Sequence, residues 1–267
     1  MRFQPAIFTA ALAAVGVEAR PKDGELSRRA SPTIYLAGDS TMAKTASPLM
    51  GWGEYLGKYV TVPVVNKAIS GRSARSYWNE GRFTEIEKLV AAGDVVVIEF
   101  GHNDGGSPNS ASDNGRSDCP GTALDVTCKS GKTGETVYTF AYYVEDAARR
   151  FVAKGARVVV SSQTPNNMWE GGKYGAGASR FVEYAARAAK DVGAPGATFV
   201  DHFQAVAALY LKLGNAKTNA LYPKDHTHTS PEGADLVAQA FVQAIARDFN
   251  GTTPLKQYVK LPAPSVF

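Results

Sequence analysis

Two short motifs carry the side chains that could do chemistry. Gly38-Asp39-Ser40 follows an apolar, strand-like run, and Asp225-His226-Thr227-His228 comes just before the start of a helix. A serine hydroxyl becomes a useful nucleophile when a histidine accepts its proton, and a carboxylate that holds the histidine fixes its tautomer and orientation. The two motifs therefore predict nucleophilic catalysis by Ser40, with a histidine as base and Asp225 as the orienting acid.

The identity of the base stays open at this level. His226 and His228 both follow Asp225, and spacing alone does not choose between them. The same cluster would also suit a metal ion, but no third or fourth ligand lies nearby in sequence, and the serine mechanism needs none. We therefore expect no metal and no cofactor. His202, which follows the end of a strand-like run, is predicted to be structural.

The chain around these motifs alternates between short, β-branched apolar runs and helical patterns. This alternation predicts an α/β domain with a mainly parallel sheet, and the near-continuous hydrophobicity of the runs is typical of strands buried on both faces. The predicted strands are 33–37, 62–65, 95–100, 157–161 and 198–200, and the predicted helices are 53–59, 84–92, 140–154, 180–192, 203–213 and 231–249.

The last helix has the clearest start. Ser230 can cap it, Pro231 suits the first helical position, and Glu232 complements the helix dipole. Every polar motif falls after a predicted strand or before this helix, including Gly71-Arg72-Ser73 and Gly101-His102-Asn103-Asp104. Ligands of open parallel sheets bind beyond the carboxyl ends of the strands, so we expect one site at that edge.

Composition limits the class of protein. The 267 residues are 44% hydrophobic and 20% charged, enough for one large core, and the net charge is only +4. No run of basic residues alternates with aromatic residues, which argues against nucleic-acid binding. No segment offers about 18 uninterrupted apolar residues, which argues against a membrane span. We expect a monomer that binds neither nucleic acid nor membrane.

The N-terminus has the pattern of an exported protein. Residues 1–19 read as a signal peptide, and residues 20–29 read either as a propeptide that ends at Arg28-Arg29 or as a tail that is never cut. The catalytic domain would span 30–250, followed by a C-terminal tail, 251–267. In a secreted, extracellular protein, Cys119 and Cys128 would form a local disulfide, and Asn250-Gly251-Thr252 would be a glycosylation sequon.

Four motifs together resemble the SGNH (GDSL) hydrolase superfamily, whose four sequence blocks carry serine, glycine, asparagine and histidine in that order. Here these residues are Ser40, Gly71, Asn103 and His228. Longer stretches resemble the fungal rhamnogalacturonan acetylesterases; they are 35–44, 51–56, 71–76, 99–106, 161–167 and 225–231. Members of that family carry a second, C-terminal disulfide, whereas this chain has no cysteine after Cys128.

The resemblance implies a three-layer α/β/α, flavodoxin-like sandwich around a five-stranded parallel sheet. It favours His228 over His226 as the base. It also implies an oxyanion hole in which the backbone N–H groups of Ser40 and Gly71 and the side-chain amide of Asn103 stabilise the charge of the tetrahedral intermediate. Asp39 is expected to hold the turn rather than to take part in catalysis.

The resemblance further implies an acetylated pectic polysaccharide as substrate. Trp52 and Trp169 could stack on sugar rings, and Arg72 and Arg75 could attract the uronic acids of such a polymer. Acetylated xylan and small acetyl esters are alternative substrates. A lipase is disfavoured because the Gly-x-Ser-x-Gly motif of α/β-hydrolases is absent. A secreted carbohydrate-binding protein that has lost catalysis is the alternative from another functional class.

Overall fold

The computed structural model describes residues 31–175 and 177–267. Within them, five parallel strands form one sheet in the order β2-β1-β3-β6-β7, and two short antiparallel strands, β4 and β5, form a separate ribbon. The strands are β1 (Ile34–Gly38), β2 (Val64–Asn66), β3 (Val95–Glu99), β4 (Thr127–Lys129), β5 (Thr136–Tyr138), β6 (Arg157–Ser161) and β7 (Ala197–Val200). The α-helices are α1 (Ala74–Asn79), α2 (Arg82–Leu89), α3 (Phe140–Ala153), α4 (Arg180–Val192), α5 (His202–Ala220) and α6 (Pro231–Ala246).

The helices cover both faces of the sheet because its central strands are apolar on both faces. Ile34 and Leu36 of β1 face a core shared with α5 and α6, whereas Tyr35 and Ala37 face a second core shared with α1, α2, α3 and α4. Successive side chains of a strand point to opposite faces, so one apolar run supplies both cores. The predicted three-layer α/β/α sandwich is confirmed.

The segment after β1 differs from the prediction. The predicted helix 53–59 is instead two short 3₁₀ turns, Trp52–Glu54 and Leu56–Lys58. The segment lies too tightly against the turn after β1 for a side chain at position 53, since a Cβ atom on Gly53 would come within 2.6 Å of the Met42 carbonyl oxygen. This close approach to the turn after β1, rather than helical periodicity, determines the local conformation.

Other helical segments also differ from the prediction. Helix α5 extends to Ala220, beyond the predicted end at 213, and it breaks at Gly214, where φ is +76°. Helix α1 was not predicted. It is only six residues long, and it begins where the Ser73 hydroxyl accepts a hydrogen bond from the Ser76 N–H while the Ser76 hydroxyl accepts one from the Ser73 N–H. Such a capping box stabilises a helix too short to show periodicity.

The long loop between β3 and α3 is held by covalent and ionic links. Cys119 and Cys128 form the predicted disulfide, which is therefore confirmed. Arg75 of α1 donates to both carboxylate oxygens of Asp113, at 3.1 and 2.9 Å, and also to Glu135. The loop is thereby fixed against α1, close to the carboxyl edge of the sheet.

The C-terminal tail lies against the domain. Lys260 N–H donates to the Tyr59 carbonyl oxygen at 2.9 Å, and the carbonyl oxygen of Phe267 accepts from the Gln243 side chain at 2.6 Å. The predicted signal peptide and propeptide lie outside the described residues. Among the residues that are described, no helix has both the length and the apolar character needed to cross a membrane.

Candidate active site

A line of hydrogen bonds joins Ser40, His228 and Asp225 at the carboxyl edge of the sheet. Ser40 Oγ lies 2.7 Å from His228 Nε2, and His228 Nδ1 lies 2.9 Å from Asp225 Oδ2. Ser40 is in the turn after β1, and the other two residues are in the loop before α6. This geometry suits transfer of the serine proton to the imidazole while the carboxylate holds the ring. The neighbouring His226 instead faces Glu170, at 3.4 Å.

Asp225 is held by its own loop. Its Oδ1 accepts hydrogen bonds from the backbone N–H groups of Thr227 and His228, both at 2.7 Å, which leaves Oδ2 for the imidazole. Desolvation opposes ionisation of this carboxyl group, but the hydrogen bonds from the His228 backbone and side chain and from Thr227 outweigh it. Together they lower the pKa of Asp225 to about 2. The carboxylate is therefore charged wherever His228 can act as a base.

The turn that carries Ser40 is shaped by Asp39. Asp39 Oδ1 accepts from both the N–H and the hydroxyl of Thr41, at 2.9 Å each. The backbone N–H of Ser40 donates no hydrogen bond to any described residue, so it is available to a ligand. Ser40 itself is only 8% exposed. Asp39 is thus structural in this turn, as expected.

The loops after β2 and β3 bring the other two predicted oxyanion residues to the same edge. Gly71 has φ of +76°, a conformation that favours glycine, and its N–H likewise has no acceptor within the described part of the chain. Asn103 Nδ2 donates to the Arg72 carbonyl oxygen at 3.1 Å, which ties the two loops together. An amide nitrogen carries two hydrogens, so Asn103 keeps one for a ligand.

Arg116 lies beside these residues and was not predicted from the sequence. Its Nη1 donates to Asn103 Oδ1 at 3.2 Å and approaches the Gly71 carbonyl oxygen at 3.4 Å. Arg116 lies in the long loop, three residues before the disulfide-bonded Cys119. Its closeness in sequence to this disulfide is the one signal that could have indicated that Arg116 is held in place.

Trp52 does not bind substrate, and the prediction for it is wrong. Its side chain is completely buried, and its Nε1–H donates to Glu99 Oε1 at 2.8 Å. The indole packs edge-on against the His202 ring, with centroids 5.0 Å apart, and also contacts Phe241. The residue therefore belongs to the core beneath the site. His202 is buried there too, as expected of a structural histidine.

The prediction for Arg75 is also wrong. Its side chain is 1% exposed, and its guanidinium is directed at Asp113 and Glu135, so it has no free face for a polymer. Arg72 is more exposed, but its Nε donates to Glu80 at 3.0 Å. Trp169 is half-buried, and its Nε1–H donates to the Tyr210 carbonyl oxygen at 2.8 Å. A ligand role for Arg72 and Trp169 stays a prediction.

Asn250 is the predicted glycosylation site. Asn250 lies on the exposed turn after α6, where its Oδ1 accepts from the Asp201 N–H at 2.7 Å. Glycosylation there remains a prediction.

Across residues 31–175 and 177–267, no group of three or more His, Cys, Asp or Glu side chains is arranged to hold a metal ion.

Comparison with known proteins agrees with the motifs. Residues 36–236 match the GDSL-like Lipase/Acylhydrolase family. The chain is 52% identical over 215 residues to the rhamnogalacturonan acetylesterase of Emericella nidulans, a match that covers 80% of this chain and 84% of that protein. It is 27% identical over 232 residues to the rhamnogalacturonan acetylesterase RhgT of Bacillus subtilis, covering 79% and 88% of the two chains. The resemblance inferred from the sequence is confirmed.

Solved structures show the same fold. The protein YXIM of Bacillus subtilis superposes with a TM-score of 0.64 at 24% identity over 82% of this chain, which spans 57% of that longer chain. A mutant of Axe2, an acetyl-xylooligosaccharide esterase from Geobacillus, superposes with a TM-score of 0.52 at 18% identity, covering 79% of this chain and 93% of the other. With the family match extending from β1 into α6, the chain belongs to the GDSL-like lipase/acylhydrolase family of carboxylic ester hydrolases.

Proposed function

We propose that the protein is a secreted serine esterase that removes acetyl groups from the rhamnogalacturonan backbone of pectin. The observation that carries the chemistry is the line of hydrogen bonds from Ser40 through His228 to Asp225, at 2.7 and 2.9 Å. The substrate is supported by the 52% identity to a rhamnogalacturonan acetylesterase over most of both chains.

The reaction proceeds in two halves. Ser40 Oγ attacks the acetyl carbonyl carbon while His228 Nε2 accepts the hydroxyl proton, and the resulting tetrahedral intermediate collapses to an acetyl-enzyme. His228 returns the proton to the departing sugar oxygen. Water then attacks the acetyl-enzyme with His228 again as base, and acetate leaves as Ser40 regains its proton. Asp225 stabilises the imidazolium in both halves.

The negative charge on the carbonyl oxygen is stabilised by three donors. The N–H groups of Ser40 and Gly71 have no acceptor among the described residues, and Asn103 has one amide hydrogen to spare. Donors that are fixed before the reaction need no reorganisation when the charge develops, and removing one typically lowers the rate by about 10²–10³. The Asp39 turn and the Asn103–Arg72 bond provide that fixation.

Export is part of the proposal. Residues 1–19 have the pattern of a signal peptide, and the Cys119–Cys128 disulfide is typical of oxidising compartments. N-terminal sequencing of protein from the culture medium tests this: a start at Arg20 or Ala30 supports export with or without cleavage after Arg29, and retention of Met1 contradicts it. Light scattering after gel filtration tests the proposed monomer.

Acetate release tests the activity. The secreted protein is incubated side by side with acetylated rhamnogalacturonan and acetylated xylan, with Ser40→Ala as the matched control. Release from the pectic polymer that disappears in Ser40→Ala supports both mechanism and substrate. Release mainly from xylan contradicts the substrate, and no serine-dependent release from either polymer or from a small acetyl ester contradicts the esterase mechanism.

A further inference from the structure

Arg116 lies beside the proposed oxyanion hole, and it has no charged partner among the described residues. Within that part of the chain only Nη1 of its guanidinium donates hydrogen bonds, and both acceptors, Asn103 Oδ1 and the Gly71 carbonyl oxygen, are neutral. No described carboxylate lies within ion-pair distance of Arg116. Nε and Nη2 are therefore available to an external acceptor. A guanidinium in this state is suited to bind a carboxylate through two parallel hydrogen bonds.

The position of Arg116 is fixed before any ligand arrives. Its backbone N–H donates to Asn114 Oδ1 at 3.1 Å, and the next residue, Ser117, contributes a carbonyl oxygen that accepts from buried Arg75 at 2.8 Å. The Cys119–Cys128 disulfide follows directly. Ligand binding thus requires little ordering of the loop, and less of the interaction free energy is lost to entropy.

An open cavity of about 350 Å³ lies next to this cation. It is lined by Gly71, Arg72, Ser76, Glu80, Asn114 and Arg116. Its one lining carboxylate, Glu80, already accepts hydrogen bonds from Arg72, at 3.0 Å, and from Arg82, at 3.2 Å. The cavity therefore has an excess of positive charge, concentrated at Arg116. Its volume is in the range of small-ligand sites and suits one sugar ring.

We propose that this cavity is a subsite for a uronic acid residue of the substrate, whose carboxylate is bound by Nε and Nη2 of Arg116. The inference rests on the proposed function, because the backbone of rhamnogalacturonan carries uronic acids. Since Gly71 lines the cavity and also belongs to the proposed oxyanion hole, a uronate held here aligns an acetyl group of the same polymer with Ser40. From the sequence, this anion recognition was predicted for Arg72 and Arg75, but Arg75 points inward to Asp113 and Arg72 pairs with Glu80.

The test compares two forms of one polymer. Acetylated rhamnogalacturonan is used as such and after reduction of its carboxyl groups to primary alcohols, and kcat/KM for acetate release is measured on both at 0.15 M salt. We expect the wild-type protein to favour the native polymer by about tenfold or more, the usual size of one charge-assisted pair of hydrogen bonds. In Arg116→Gln the two values become equal within about twofold, and Arg116→Lys retains part of the preference.

The ratio of kcat/KM on the native polymer to kcat/KM on the reduced polymer separates carboxylate binding from other effects of the substitution. Loss of the contact to Asn103, or a smaller folded fraction, lowers kcat/KM on both polymers by the same factor. Such an effect therefore cancels in the ratio. Arg157→Gln, the same change at the exposed start of β6 on the opposite edge of the sheet, is the control and keeps the wild-type ratio.

Two results overturn the subsite. One is a wild-type protein that deacetylates both polymers equally well. The other is an Arg116→Gln variant that retains the wild-type preference, in which case Arg116 acts only through Asn103. Release from neither polymer, together with Ser40-dependent release from acetylated xylan, instead overturns the proposed function and the subsite with it.

Discussion

Glu99 and His202 form a buried pair that joins the end of β3 to the start of α5. Glu99 Oε2 lies 2.9 Å from His202 Nδ1, and His202 Nε2 lies 3.1 Å from the Val237 carbonyl oxygen. A carboxylate and a carbonyl oxygen both accept hydrogen bonds, so the His202 ring bridges two acceptors, one at each ring nitrogen. Glu99 also accepts from Trp52 and Ser161. A polar network therefore supports the turn that carries Ser40 from below.

We expect Glu99→Gln to destabilise the protein by about 3–5 kcal/mol, because removing one partner of a buried pair leaves the other uncompensated. The NH2 group of the glutamine would also face another hydrogen-bond donor, either the Trp52 indole N–H or the Ser161 hydroxyl. Urea unfolding at pH 7 measures the loss. Glu183→Gln, an exposed change on α4, is the control and should stay within about 0.5 kcal/mol. A loss below about 1 kcal/mol for Glu99→Gln would show that the network contributes little.

The sequence was sufficient for residues whose position follows from strand ends. Ser40, Gly71 and Asn103 each follow a parallel strand, and parallel strands end at one edge, so alternation of elements alone predicts that they meet there. It was insufficient for Trp52 and Arg75, because a tryptophan or arginine has the same appearance in sequence whether it faces a ligand or a buried carboxylate. Arg75 is directed inward by Asp113, 38 positions along the chain.

Asp225 is expected to act through His228. In Asp225→Asn, the amide group can donate to Nδ1 and so favours the tautomer in which Nε2 is protonated and cannot accept the Ser40 proton. We expect kcat on p-nitrophenyl acetate to fall by about 10³–10⁴. His226→Gln is the matched control, since His226 faces Glu170 rather than Ser40, and it should retain activity. A similar loss in both variants would argue that the loop, not the carboxylate, is what matters.

Asn103 is expected to act on the transition state. Asn103→Ala removes one oxyanion donor and the link to Arg72, and we expect kcat to fall by about 10²–10³ with a much smaller change in KM. Steady-state kinetics on a small acetyl ester separate the two parameters without polymer binding. Asn109→Ala, an exposed change in the following loop, should match the wild type. A loss confined to KM would assign Asn103 to substrate binding instead.

Another buried pair consists of two acidic residues, Asp104, which directly follows Asn103, and Asp118. Asp104 and Asp118 are both fully buried, and three of their four carboxyl oxygens have no hydrogen-bond donor among the described residues; the fourth, Asp104 Oδ1, accepts from the Ala74 N–H at 2.7 Å. Burial raises the pKa of Asp104 to about 7, and burial together with the Asp104 charge raises that of Asp118. A proton shared between the two carboxyl groups would supply the missing donor.

This pair makes stability depend on pH in a defined direction. Between about pH 4, where unfolded carboxyl groups ionise, and about pH 7, the folded protein retains protons that the unfolded chain has lost. Stability therefore falls as pH rises through this interval, by up to about 1.4 kcal/mol per pH unit for each retained proton. In Asp118→Asn the amide group donates to Asp104, which lowers its pKa and flattens the slope. Urea unfolding at several pH values measures it, with exposed Asp125→Asn as control. Equal slopes in Asp118→Asn and the wild type would mean that the pair holds no proton in the folded protein.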